Sequence, residues 1–176
     1  MVEHVHKQFG SIDILVNNAP IFTVKPFEDI PEDEWGPVFA VNVKGVLFGY
    51  QAVSGYMRCQ KSGLILNMAS QAGKIGSYLI GDHYSDSMAV VFCMTKSFTV
   101  ALAPDNVTVN PIATWIMDTD FLDDVPGIEN FFSRIPLGHR PREAMDVAKT
   151  LAFLASNDAR YITGEILDVN GGLLID

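Results

Sequence analysis

IDILVNNAP, residues 12–20, is a short apolar run followed at once by a turn. Ile12, Ile14 and Val16 are β-branched, so the run reads as a buried strand of the kind a parallel sheet uses. LILNMA (64–69) repeats the pattern, VTVN (107–110) makes a third such strand, and EILDVNGG (165–172) a fourth that ends in a double-glycine turn. Helical segments fall between them. Residues 1–9 read as the end of a helix closed by Gly10. Pro31 and the acidic Glu32-Asp33-Glu34 open a helix that runs to about Arg58 and bends near Asn42. SQAGKIGSYLIGD reads as a glycine-punctuated loop. A helix apolar on most sides runs from about Tyr84 to Ala103, and an amphipathic one from Arg142 to Ser156. Residues 111–140 read as irregular, with a short helix around 128–133. Alternating strands and helices predict an α/β fold with a parallel sheet covered on both faces. No repeat and no second domain is visible, so residues 1–176 are expected to form a single domain.

Composition limits the function classes. The chain has 176 residues, enough for one domain with a sizeable core. Its net charge of -9 repels phosphate backbones and argues against nucleic acid as a partner. No apolar run approaches a membrane span by this reading, and the polar N-terminus lacks the centre of a signal peptide. Cys59 and Cys93 show neither metal-ligand nor disulfide spacing, so a reducing, cytoplasmic setting is expected. His4 and His6 fall on different faces of a helix, and no carboxylate–histidine spacing supports a metal.

Six segments, in order along the chain, resemble the short-chain dehydrogenase/reductase family. IDILVNNAP resembles its strand and NNAG turn, and VNVKG (41–45) the segment with its helix asparagine. LILNMASQAG resembles the strand that leads to its catalytic serine, here Ser70. Tyr84 stands where its catalytic tyrosine should, VTVNPIATWIMDT resembles its cofactor loop, and ITGEILDVNGG its last strand. ASQAGKIG and DVPGIENFFSRIPLGH are most like polyol and diol dehydrogenases of the sorbitol or 2,3-butanediol type. The resemblance implies a Rossmann-like doubly wound sheet and NAD or NADP as cofactor. It also implies interconversion of a secondary alcohol, diol or polyol with a ketone, and a homo-oligomer.

Each site residue has an ordinary reading as well. A tyrosine on an apolar helix is usually core, a serine after a strand usually loop, and a helix asparagine usually surface or cap. The family register reverses these. It implies Tyr84 as acid/base, Ser70 as the group holding the same substrate oxygen, and Asn42 as holder of a proton-relaying water. Asn17, Asn18, Ala19, Met117 and Thr119 match cofactor positions, Met117 through its backbone.

Four departures follow. Met88 occupies the family's lysine position in YSDSM (84–88), and methionine has neither the charge nor the N–H donor of lysine. Lys96 lies about 18 Å further along the helix and cannot substitute. Lys74, in the loop after Ser70, is the nearer candidate. Pro20 replaces a glycine and lacks an N–H. Thr114-Trp115 replaces Pro-Gly and brings an indole towards the nicotinamide position. The glycine-rich turn G-x-x-x-G-x-G occurs nowhere in these residues.

The resemblance therefore implies a partial Rossmann-like fold, the C-terminal two-thirds of the family's, lacking its first strands and phosphate loop. IDILV should then be an exposed apolar edge. The competing expectation is a catalytically impaired, truncated relative acting at most as an oligomerising subunit. The choice between NAD and NADP is made in the family after a strand these residues do not match. His139 could touch substrate, though a surface loop is its ordinary place, and Phe121, Phe131 and Phe132 suggest an apolar lid.

Overall fold

The computed structural model describes residues 1–77, 80–115, 129–140 and 143–175. Four parallel strands lie in the order β1 (Ile14–Asn17), β2 (Gly63–Ser70), β3 (Val107–Thr114) and β4 (Leu167–Val169). The helices are α1 (Val2–Phe9), α2 (Glu32–Phe39), α3 (Val46–Gln60), α4 (Ala72–Ile75), α5 (Asp82–Leu102), α6 (Glu129–Phe132) and α7 (Ala144–Leu154). The expected α/β fold with a partial Rossmann-like parallel sheet is present.

Local chemistry fixes most boundaries. Gly10 takes the left-handed conformation (φ 84°) that closes α1, and its N–H donates to the His6 carbonyl at 2.8 Å. Three carboxylates in the first turn of α2 complement the helix dipole. The predicted bend near Asn42 is a π-helical segment, Ala40–Gly45, joining α2 to α3. A reciprocal capping box between Glu143 and Asp146 starts α7.

The sheet is covered on both faces. Ile65 and Ala69 of β2, with Val107 and Val109 of β3, pack under Tyr50, Val53 and Met57 of α3 and Met88, Val91 and Phe92 of α5. The alternate residues, Leu64, Leu66 and Ile112, pack against Val147 and Leu154 of α7. This period-two division is what a sheet buried on both sides requires. Among the described residues β1 is an edge. Ile14 and Val16 are 47% and 41% exposed, as expected for an apolar strand with one neighbour.

Three expectations need correction. The stretch Asp82–Asp105 has the length and mean hydropathy (1.4) of a membrane span, contrary to the reading that no apolar run approaches one. Its Met88, Val91, Phe92 and Leu102 are buried in the core, so this is a helix of the fold. The segment after Ser70 is not all loop. Ala72–Ile75 forms one helical turn, and Gly73 serves close packing: a Cβ there would come within 2.7 Å of the Ala89 nitrogen of α5. β3 continues past Pro111 to Thr114, because Ile112 and Ala113 stay paired and buried between β2 and β4.

Candidate active site

The site gathers at the carboxyl end of the sheet, where open α/β sheets bind ligands. Ser70 ends β2 and is paired in register with Thr114, which ends β3. Two bonds lace the strand ends together. The Gln71 N–H donates to the Thr114 carbonyl at 2.8 Å, and Thr114 Oγ1 donates to the Ala69 carbonyl at 3.0 Å. Ser70 Oγ accepts from the Ala72 N–H at 3.2 Å, which fixes the serine side chain at the start of α4.

Tyr84 comes to this point from the first turns of α5. Burial raises its pKa from the usual value of 10, and the neighbouring Ser70 side chain lowers it in part. The two residues that the sequence nominated as acid and oxygen-holder are therefore brought together, and Tyr84 keeps its proton at neutral pH. The ring of Phe22 meets Tyr84 edge-on, with centroids 5.6 Å apart.

Asn42 is buried in the π-helical segment and its side chain is fully engaged. Oδ1 accepts from the Ile21 N–H at 2.8 Å. Nδ2 donates to the Ile21 carbonyl at 2.9 Å and to Ser87 Oγ at 3.0 Å. Ser87 Oγ in turn donates to the Tyr84 carbonyl at 2.7 Å. The amide thus ties the loop after β1 to the helix that carries Tyr84. A water held at this place would have to use main-chain groups of the widened turn.

Asn17 faces inward. Its Nδ2 donates to Asn67 Oδ1 at 2.8 Å, and Asn67 Nδ2 donates to Tyr50 Oη at 2.5 Å and Thr95 Oγ1 at 2.9 Å. This buried network fixes the end of β1 and leaves Asn18 and Ala19 exposed beyond it. Met117, Thr119 and Phe121 lie outside the described residues, as does the side chain of Phe131. Phe132 is half-buried in α6. His139 lies on the surface and bonds the Ser133 carbonyl at 3.0 Å.

Met88 is 1% exposed and packs in the core with Tyr84, Val91 and Phe92. Lys74 does not take over the lysine's place, because its Nζ is paired with Asp168 Oδ2 of β4 at 2.7 Å. Lys96 is exposed.

One residue of the site carried no sequence signal. Gln71, next to Ser70, is wholly buried, yet neither its Oε1 nor its Nε2 has a partner among the described residues. It lines a cleft of 470 Å³ with Lys25, Pro26, Phe27, Trp115 and Arg134. An unbonded amide in such a place is costly unless a ligand completes it. Against a nicotinamide cofactor, the fit is partial. The cleft, whose lining includes Gln71 but not Ser70 or Tyr84, suits a polar ring or a small substrate, whereas Met88 offers nothing to a ribose hydroxyl.

Comparison with known proteins agrees with this arrangement. Residues 1–174 match the family model described as enoyl-(acyl carrier protein) reductase. The chain is 38% identical to a 3-oxoacyl-(acyl-carrier-protein) reductase FabG of Thermotoga maritima, over 99% of this chain and 71% of that one. It is 38% identical to a protein of the same name from Staphylococcus aureus, over 98% and 70%. A sorbitol dehydrogenase of Cereibacter sphaeroides is 35% identical over 94% of this chain and 69% of its own length.

Proposed function

This chain belongs to the short-chain dehydrogenase/reductase family, and we propose that it works as an NAD(P)H-dependent reductase of ketones that carry a second oxygen near the carbonyl. The observation that carries the proposal is the protonated Tyr84 brought beside Ser70, with the unbonded Gln71 amide one residue along the chain from that serine. The nicotinamide supplies the hydride. The protein supplies the rest. Ser70 Oγ holds the carbonyl oxygen, and Tyr84 gives that oxygen a proton as it becomes an alkoxide. Gln71 has one acceptor and two donor hydrogens to offer the second oxygen. Asn18, Ala19, Met117 and Thr119 are the positions to hold the cofactor.

Direction follows from Met88. With no ammonium beside it, the buried tyrosine favours its neutral form. Reduction needs that form, and alcohol oxidation needs the anion, so oxidation suffers more. The alternative of an inactive relative rests on that methionine and on the missing glycine-rich turn; against it, the relatives are named as reductases and a dehydrogenase, and Ser70 and Tyr84 are brought together.

Two substrate classes fit the requirement: α-hydroxyketones, which connect to diols and polyols, and β-oxoacyl thioesters. Calorimetric titration with NADH and NADPH comes first, then reduction of both classes by the wild type and Tyr84→Phe. Turnover of either class that Tyr84→Phe abolishes supports the proposal. Absence of cofactor binding up to millimolar concentration by the folded chain would overturn it for these 176 residues. We also propose a homo-oligomer that covers the outward apolar side chains of α3 and α5, among them Phe48 and Val100.

A further inference from the structure

The loop after β1 is fastened to the N-terminus of α5 at several points. Besides the two Ile21–Asn42 bonds, the Gly81 N–H donates to the Thr23 carbonyl at 2.9 Å. Thr23 Oγ1 and His83 Nε2 share a hydrogen bond of 3.1 Å. Lys25 is ion-paired with Glu34 of α2. His83 is wholly buried and stacks on Trp35 with ring centroids 6.0 Å apart. Gly81 leaves room for the ring, since a Cβ there would come within 2.7 Å of Nδ1.

The ring proton sits on Nε2. Nδ1 has no partner among the described residues, and a buried lone pair without a partner is less costly than a buried N–H without one. Nε2–H therefore donates to Thr23 Oγ1. This arrangement needs a neutral imidazole.

We propose that His83 is a positioning residue: as the neutral Nε2–H tautomer it holds the segment 21–27 against the helix that carries Tyr84, and gaining a proton releases that segment. The segment matters because Phe22 packs on Tyr84 and Lys25, Pro26 and Phe27 form a wall of the cleft. A second ring proton would place an N–H on Nδ1 with no acceptor, in a buried site at the positive end of α5. The charged groups facing the ring are Glu34 and Lys25 from the packed elements and Asp82 and Asp86 from its own helix. The three carboxylates favour the imidazolium and Lys25 opposes it. Burial outweighs them and lowers the His83 pKa below 6.5. With the folded pKa lowered, the stabilisation is complete above 6.5 and is lost as pH falls through the folded value.

The test is amide hydrogen exchange, corrected for the intrinsic rate at each pH, together with a ring-nitrogen NMR titration of His83. In the wild type, protection of residues 21–25 and 81–84 should fall about tenfold as His83 takes up its proton, while the β2–β3 core stays protected. His83→Gln can still donate to Thr23 but does not titrate, so it should keep this protection at acid pH. Thr23→Val keeps the shape and removes the bond to His83, so its protection should be low at every pH. Equal pH dependence in the wild type and His83→Gln would overturn the proposal, as would unchanged protection in Thr23→Val. Positioning matters to turnover only if Tyr84 is the proton donor, whereas exchange at 21–25 reports the contact whatever Tyr84 does, so the two readings fail separately.

Discussion

Lys74 is held away from Tyr84 by Asp168: the ammonium lies 2.7 Å from the carboxylate, with side chains 12% and 22% exposed. The lysine nearest Ser70 in sequence is therefore spent on joining α4 to β4 and does not act as a surrogate for the family's lysine. Lys74→Gln should leave the alkaline titration of Tyr84 unchanged, followed by phenolate absorbance against a Tyr84→Phe control. It should cost about 1 kcal/mol of stability, since a partly exposed pair contributes little. A rise in the Tyr84 pKa in this variant would show that Lys74 does serve the tyrosine.

Met88→Lys brings two effects into opposition. An ammonium one turn from Tyr84 favours the phenolate and should move the tyrosine's titration to lower pH. The same ammonium enters a core position that is 1% exposed, which should cost about 2–4 kcal/mol and lower the lysine's own pKa. Oxidation should gain more than reduction from the change. Even so, Met88→Lys alone should leave turnover slow, because these 176 residues contain no glycine-rich turn for a pyrophosphate. Thermal melts and paired assays in the two directions check both halves, and fast NAD-dependent turnover by this single mutant would refute the second.

Much of this arrangement was legible in the sequence, for physical reasons that differ by residue. The β1 run reads as a strand because its apolar residues are contiguous and β-branched, and Gly10 reads as a helix stop because α1 needs a left-handed residue there. The bend at Asn42 was visible as a polar residue in a helix whose side chain had to bond elsewhere, and it bonds Ile21 and Ser87. Gly73 misled, because a glycine needed for close approach to α5 looks the same as a glycine needed for a turn. The reading of VTVN as a strand stops at Asn110, whereas β3 runs on through Pro111 to Thr114. Gln71 and His83 gave no signal at all. Their interest lies in which of their atoms go unbonded, and that depends on contacts from distant parts of the chain.

Tyr50 sets a limit at alkaline pH. Its hydroxyl accepts from Asn67 deep in the core, and burial pushes its pKa from 10 up to about 12 against the lowering effect of Asn67 and the nearby Thr95. The folded pKa is raised, so the stabilisation is complete below pH 10 and is lost as pH rises through about 12. A shift of this size corresponds to about 2–3 kcal/mol. Urea unfolding at pH 8 to 11 should show stability falling with pH above 10, and Tyr50→Phe should flatten part of that fall. Tyr84, also raised by burial, adds to the same trend.

Gln71 offers a test in which stability and function move in opposite directions. Its amide is buried with both polar atoms unbonded, so in the free protein it is a cost, and replacing it by an apolar group of similar size should stabilise the fold. Gln71→Leu should raise the unfolding free energy by about 1 kcal/mol, measured by urea titration. If the amide is there to bind the second oxygen of the substrate, the same change should raise KM for α-hydroxyketones or β-oxoacyl thioesters by about tenfold or more. A plain ketone without that oxygen should be affected much less. Tyr84→Phe should instead lower kcat for all of them, because its proton goes to the carbonyl every substrate shares. A Gln71→Leu variant that is less stable than the wild type, or that slows plain and oxygenated ketones equally, would make Gln71 a packing residue and remove the reason for expecting an oxygenated substrate.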